Sequence, residues 1–208
     1  MQRSFVITSM VIAVTATTMA IASTDLSFKK KYSEAAIAVR DHVAAYQKTA
    51  TKLFTKLYLK RLYDDLIYIE EKKTGEQQQK FITGLLRLLT NYDSVDVYLL
   101  AHGNNMIVWL NGIDKKLTRK IRLVYNCGCG NAQQYEAWAN LGVKYYLAHK
   151  GEKSLSPIFF YFFIRKRAKR RSFDKSIAAA NKHTSFLLTC IGFSAVKAQE
   201  SCATLYSF

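Results

Sequence analysis

The sequence predicts an α/β fold: a short, mainly parallel sheet with flanking helices, preceded by a helical segment. Three observations carry that prediction. The runs VDVYLLA (95–101), IRLVY (121–125) and VKYYLA (143–148) are short, rich in β-branched and aromatic residues and almost continuously apolar, as strands covered on both faces are. Between the second and third lies NAQQYEAWANLG, long enough for a helix and closed by Gly142 where a helix C-terminus favours glycine. A strand, a crossover helix and a strand imply parallel pairing. From Tyr32 to Glu71, finally, Tyr32, Ala36, Val39, Val43 and Tyr46 recur at threes and fours, and Leu53, Leu57, Leu62 and Ile67 continue the face, which predicts helix.

The chain has 208 residues, half of them apolar and 13% aromatic, which suffices for one well-packed core and not for two ordinary domains. Its first 22 residues are read apart from that core. Arg3, an uncharged run from Phe5 and the small-x-small pattern Ala20-Ile21-Ala22 have the form of a cleaved secretory signal. The protein is therefore expected to be exported, periplasmic or secreted, or membrane-anchored if the signal is retained. Residues 23–93 are read as a mainly helical part and 94–208 as an α/β part, together one compact domain.

Taken in order, the helical stretch 32–71 is long enough for two helices with a break near Lys48 to Thr51. GEQQQKFITGLLRLLTNYDS is a clearer helix, with Phe81, Leu85, Leu88 and Leu89 on one side and Asn91-Tyr92-Asp93-Ser94 ending it. After the first central strand, Met106 to Leu110 with the turn signal Asn111-Gly112 predicts a small hairpin. Ser156 can cap a helix whose first residue is Pro157. The apolar residues Pro157 to Ile164 run all round that helix, which suits burial against the sheet better than lying on lipid, and its cationic end complements the helix dipole. The tail has room for another strand or a hairpin.

Thirty-one basic against fifteen acidic residues leave a formal charge of +16, which favours anionic surfaces through long-range attraction. No nucleic-acid module is recognisable. The four cysteines lack the paired knuckles that zinc sites favour, so no metal is expected. In an oxidising compartment Cys190 and Cys202 could close a small loop.

The chemistry concentrates at two strand ends. The first central strand stops at His102-Gly103 and the second at Cys127-Gly128-Cys129-Gly130. In open parallel sheets, sites form at the carboxyl ends of strands. A thiol becomes a nucleophile when an imidazole takes its proton and backbone N–H groups await the oxyanion. Flanking glycines let a substrate approach the backbone, and a helix beginning at Asn131 would favour thiolate at Cys127. Cys129 is the alternative nucleophile on the same logic. Strand-end histidines are also commonly packed structural residues, and free cysteines small buried hydrophobes. His149 could line the cleft or, as favoured here, face solvent. His42 and His183 look structural or surface-exposed.

An apolar strand ending in His-Gly, then one ending in Cys and small residues, resembles the caspase, gingipain and legumain group of cysteine peptidases, separase-like CHAT domains included. The Cys-x-Ser-Gly form common there corresponds to Cys127-Gly128-Cys129-Gly130, and NLGVKYYLAHKGEKSLSP with the following FFYFF resembles the group's strand, cleft loop and helix. The resemblance covers roughly residues 95–181. It implies a caspase-like arrangement in which His102 and Cys127 are catalytic and the Gly103 and Cys127 amides form the oxyanion hole. Peptide bonds of a protein or peptide substrate would be hydrolysed through an acyl-enzyme, with no cofactor. Tyr125 stands where several such peptidases carry the acidic residue that selects a basic substrate side chain, so cleavage after Arg or Lys is not implied. The gap from His102 to Cys127 is short for the group and implies a trimmed crossover. The alternative is a non-catalytic cationic scaffold of the same arrangement that binds anionic envelope surfaces or a protein partner. The two differ in whether Cys127 is a reactive thiol.

Overall fold

The computed structural model describes residues 34–40, 45–70, 76–102, 104–169 and 171–208. The signal reading of residues 1–22, His42 and Gly103 lie outside the described residues. Among the described residues, strands β1 (Ala35–Arg40), β2 (Asp65–Glu70), β3 (Val95–Leu100), β4 (Ile121–Asn126), β5 (Tyr145–His149) and β6 (Ala203–Ser207) form one six-stranded sheet in the order β2-β1-β3-β4-β5-β6. The first five are parallel, and β6 runs antiparallel to β5 at the edge. The predicted α/β class with a mainly parallel sheet is the observed one.

Side chains alternate along each strand onto two apolar layers. Ala36, Ala38, Tyr98, Leu100, Leu123, Tyr125 and Leu147 enter one core. It is closed by α1 (Ala45–Phe54), the π-helical turn Thr55–Leu59, α2 (Lys60–Leu62), α6 (Ser156–Ala168) and α7 (Phe173–Cys190). Ile37, Val39, Val97, Leu99, Val124 and Tyr146 enter the other. That side is covered by α3 (Gln77–Asn91), α4 (Lys115–Thr118) and α5 (Tyr135–Asn140). The last helix, α8 (Ala195–Glu200), packs on α7.

The helical reading of 32–71 is corrected. Ala35–Arg40 and Asp65–Glu70 are strands paired to each other, and among the described residues of 32–71 only 45–62 are helical. The spacing misled because Ala36 and Val39, three apart, face opposite cores. Nor does the helix break near Lys48 to Thr51; it continues to Phe54 and is irregular only at Thr55–Leu59. The helix over Phe81 to Leu89 stands as read, with all four expected residues buried. Met106–Leu110 is a 3-10 helix and not a hairpin, because no second strand follows the turn at Gly112. Leu155 and not Ser156 is the N-cap of α6. The tail holds two helices and the edge strand.

Where β3 meets β4 the register slips by one residue: Val95 stands opposite Ile121 and Asp96 opposite Leu123. The extra residue is Arg122. Its guanidinium grips the buried Asp96 at 2.7 and 2.9 Å and pairs with Glu34, while Tyr63 donates its hydroxyl hydrogen to Asp96 at 2.6 Å. This ion cluster lies at the amino ends of the strands. The carboxyl ends, opposite, carry the candidate site.

Candidate functional site at the carboxyl ends of β3 and β4

The register Leu99 opposite Asn126, carried one residue further, sets Leu100 beside Cys127. The Cys127 N–H donates to Leu99 O at 2.9 Å, which continues the ladder to that point. His102 follows two residues after the end of β3, in a bend. Cys127, like Tyr98, Leu100 and Tyr125, belongs to the core covered by α6. The fold thus brings the two strand ends together. Cys127 is buried, whereas His102 is exposed.

The Cys127 thiol donates weakly to Ala101 O at 3.7 Å. Burial pushes it up to about 12, against a hydrogen bond from Ser156 that lowers it. The sulfur therefore meets the start of α6 through Ser156, rather than the segment after Asn131, which opens as a 3-10 turn. Among the described residues, no hydrogen bond joins the His102 imidazole to the Cys127 sulfur. The thiol of Cys129 is half-buried and stands 3.4 Å from Ser154 Oγ. Both cysteines thus touch the 151–156 loop. That loop is pinned in turn: Gly151 O accepts from the Gly130 N–H, the Leu155 N–H donates to Ser201 Oγ, and Lys197 Nζ donates to Lys153 O. A Cβ on Gly151 would lie 2.5 Å from Glu200 Cβ, so only glycine lets the loop sit so close to α8.

Sequence reasoning missed the amide network that ties the two strand ends. Asn126, fully buried at the end of β4, accepts through Oδ1 from Asn131 Nδ2 at 2.7 Å, Asn104 Nδ2 at 3.0 Å and the Gly128 N–H at 3.3 Å. Asn104 also donates to His102 O at 3.0 Å, and Gln134 Nε2 donates to Asn104 O. The histidine loop is therefore held to the cysteine loop through one carboxamide oxygen. Gly128 completes the contact, since a Cβ there would meet Asn131 Nδ2 at 2.1 Å and His102 O at 2.7 Å. Asparagine and glutamine are too common after strands for this to be visible in sequence.

His149 corrects both readings given to it: it neither faces solvent nor lines a cleft. It is fully buried, its Nε2 3.0 Å from Tyr125 Oη and its Nδ1 3.2 Å from Cys202 O. Burial lowers it to about 4, so it is neutral. Tyr125 is filled in around by Phe159, Phe160 and Phe163 of α6. His183 stacks on Phe162 at the surface. All four cysteines are free, so the Cys190–Cys202 link is not formed; the Cys202 thiol faces Asn181 O and Ala198 O. Among the described residues, no group of three or more His, Cys, Asp or Glu side chains could hold a metal ion.

No family model matches the sequence, and no curated protein is significantly similar to it. Solved structures do match. Separase of Saccharomyces cerevisiae, in its complex with securin, superposes at a TM-score of 0.51 and 12% identity over 88% of this chain. The chain has the caspase-like fold. The match spans 12% of the separase chain. The caspase drICE superposes at 0.48 and 12% identity, over 88% of this chain and 90% of its own. At such identities the likeness is one of fold.

Proposed function

We propose that this caspase-like chain is an exported cysteine peptidase that hydrolyses peptide bonds of a protein substrate through His102 and Cys127, and that it rests in a closed, protonated state. One observation carries the reading: His102 and Cys127 follow the carboxyl ends of the adjacent parallel strands β3 and β4, and the Asn126 network ties those two segments to each other. In the reaction His102 takes the Cys127 proton and the thiolate attacks the scissile carbonyl carbon. The C–N bond then breaks as His102 returns the proton to the leaving amine, and water, deprotonated by the same imidazole, hydrolyses the acyl-enzyme. The Gly103 and Cys127 N–H groups would hold the oxyanion, which requires the Cys127–Leu99 ladder bond to open. The thiol must also leave Ser156.

A second reading, a caspase-like scaffold that binds without catalysis, draws support from the same thiol: a buried sulfur held near 12 is not a poised nucleophile. Brief exposure to dilute iodoacetamide near neutral pH, with labelled cysteines mapped by mass spectrometry, separates the two. The wild type and Gly151→Ala, in which the 151–156 loop is displaced from α8, are each compared with and without His102→Ala. Labelling at Cys127 in either background that falls about tenfold or more without His102 supports the dyad. If His102-dependent labelling appears at Cys129 instead, Cys129 is the nucleophile. Labelling indifferent to His102 in both backgrounds overturns the peptidase reading.

A further inference from the structure

The net charge of the chain is not spread over the molecule. From 45 to 62 and from 156 to 190, the segments that build the α1, α2, α6 and α7 layer, the sequence holds thirteen basic residues and one carboxylate, Asp174. That is a formal +12 of the chain's +16. The helices of the opposite layer mix their signs, as in Lys80 with Glu76 and Arg87 with Asp65 across to β2. Segregation on this scale creates a directed field, not only solubility.

The charged layer is also ordered at the level of single turns. Lys52, Lys56 and Lys60 recur every four residues along one continuous helical segment; Lys52 is paired with Glu70 of β2 at 3.1 Å, whereas Lys56 and Lys60 are exposed. On α7, Lys175, Lys182 and Phe186 fall at i, i+7 and i+11, one line along the outer face. Phe186 is 68% exposed, so a large aromatic ring stands in water within a row of lysines. Phe162 of α6, partly buried, lies stacked on His183 beside that row. His183 is lowered by burial and then by Lys166, Lys182, Arg165 and Arg171, which shows that charges from both helices converge there.

We propose that the α1–α2–α6–α7 layer is a docking face for an anionic lipid bilayer, with lysine ammonium groups on the headgroups and the Phe186 ring at the acyl boundary. Ammonium groups distributed over helices laid side by side suit a planar array of phosphates, and an aromatic ring between them gains from entering the interface. A nucleic-acid duplex would ask for an element that enters a groove, which side-by-side helices do not present. The start of α6 touches Cys127 through Ser156, but the lysines and Phe186 invoked here lie on the helical segment 45–62 and on α7 and include neither His102 nor Cys127, so this face does not depend on the peptidase reading.

The test uses the full chain and vesicles of phosphatidylcholine alone or with phosphatidylglycerol, in co-sedimentation at several salt concentrations. Binding to the anionic vesicles is expected, falling steeply with salt. Lys175→Glu/Lys182→Glu should weaken it by about tenfold or more, given what single basic residues contribute near such surfaces. Phe186→Ser should remove the fraction that survives high salt, and Lys115→Glu/Lys116→Glu on the opposite layer should leave binding unchanged. Equal binding to neutral vesicles, equal loss from both lysine pairs, or a duplex DNA that competes at lower phosphate concentration than the vesicles would each overturn the proposal. Far-ultraviolet circular dichroism of the surface variants confirms that they fold.

Discussion

At the scale of single residues, the position of a side chain on a strand decides more than its chemical type. Cys127 and His149 end neighbouring strands, yet one is a thiol under Ser156 and the other an imidazole sealed between Tyr125 and Cys202 O. His149 has a consequence for stability that follows from its protonation. Its folded-state value of about 4 lies below the ordinary 6.5, so between those limits the unfolded chain binds a proton that the folded chain refuses. Its contribution is complete above pH 6.5, declines as pH falls through that window, and is lost below about 4, amounting to roughly 3 kcal/mol by proton linkage. Urea unfolding at pH 7, 6 and 5 should show this decline. His149→Gln should be less stable at pH 7 and show a shallower slope across the same window; an unchanged slope would mean that the imidazole does not refuse the proton.

At the scale of elements, the Asn126 network makes two loops behave as one. Asn126→Ala removes the acceptor of three N–H groups, of which those of Gly128 and Asn131 are buried, a loss of about 2–3 kcal/mol. The urea midpoint should fall accordingly, and Cys127 should label faster because the loops carrying it and His102 separate. A stable variant with unaltered labelling would show that the ladder bond from Cys127 to Leu99 alone holds the strand ends. How legible these elements were follows from the same physics. Strands β3, β4 and β5 could be read because β-branched and aromatic residues dominate them and glycine follows two of them, which also exposed His102 and Cys127 as strand-end residues. β1 could not, because AAIAVR is apolar at five of its six positions and buried on both faces, so neither period appears, and alanine favours helix when nothing else decides. The bulge at Arg122 and the link from the carboxamide network to the histidine loop were equally hidden, since each depends on a partner more than twenty residues away.

At the scale of the whole molecule, the order β2-β1-β3-β4-β5-β6 places the first strand of the chain between the second and third. Residues 94–208 therefore share a sheet with residues before them, and β3, in the middle, needs β1 along its whole length from Val95 to Leu100. Removing residues 1–93 would strip β3 of that ladder, take away α3, whose Phe81, Leu85, Leu88 and Leu89 fill one core, and delete Tyr58 and Leu59 from the other. An unpaired, apolar, flat edge of this kind recruits other chains. The fragment 94–208 is expected to aggregate on expression and to show no cooperative urea transition. The full chain should unfold in one step, with the fluorescence of Trp109 and Trp138, both on the α3 and α5 side, changing together with the helical circular dichroism to which the layer of α1, α2, α6 and α7 contributes most. Two separated transitions would mean that the two layers hold independently, and would count against a sheet that transmits packing from one core to the other. Coincident transitions, with a fragment that cannot fold, would mean that the N-terminal strands belong to the same cooperative unit as the His102 and Cys127 strand ends. Any loosening at β1 would then be felt at the thiol.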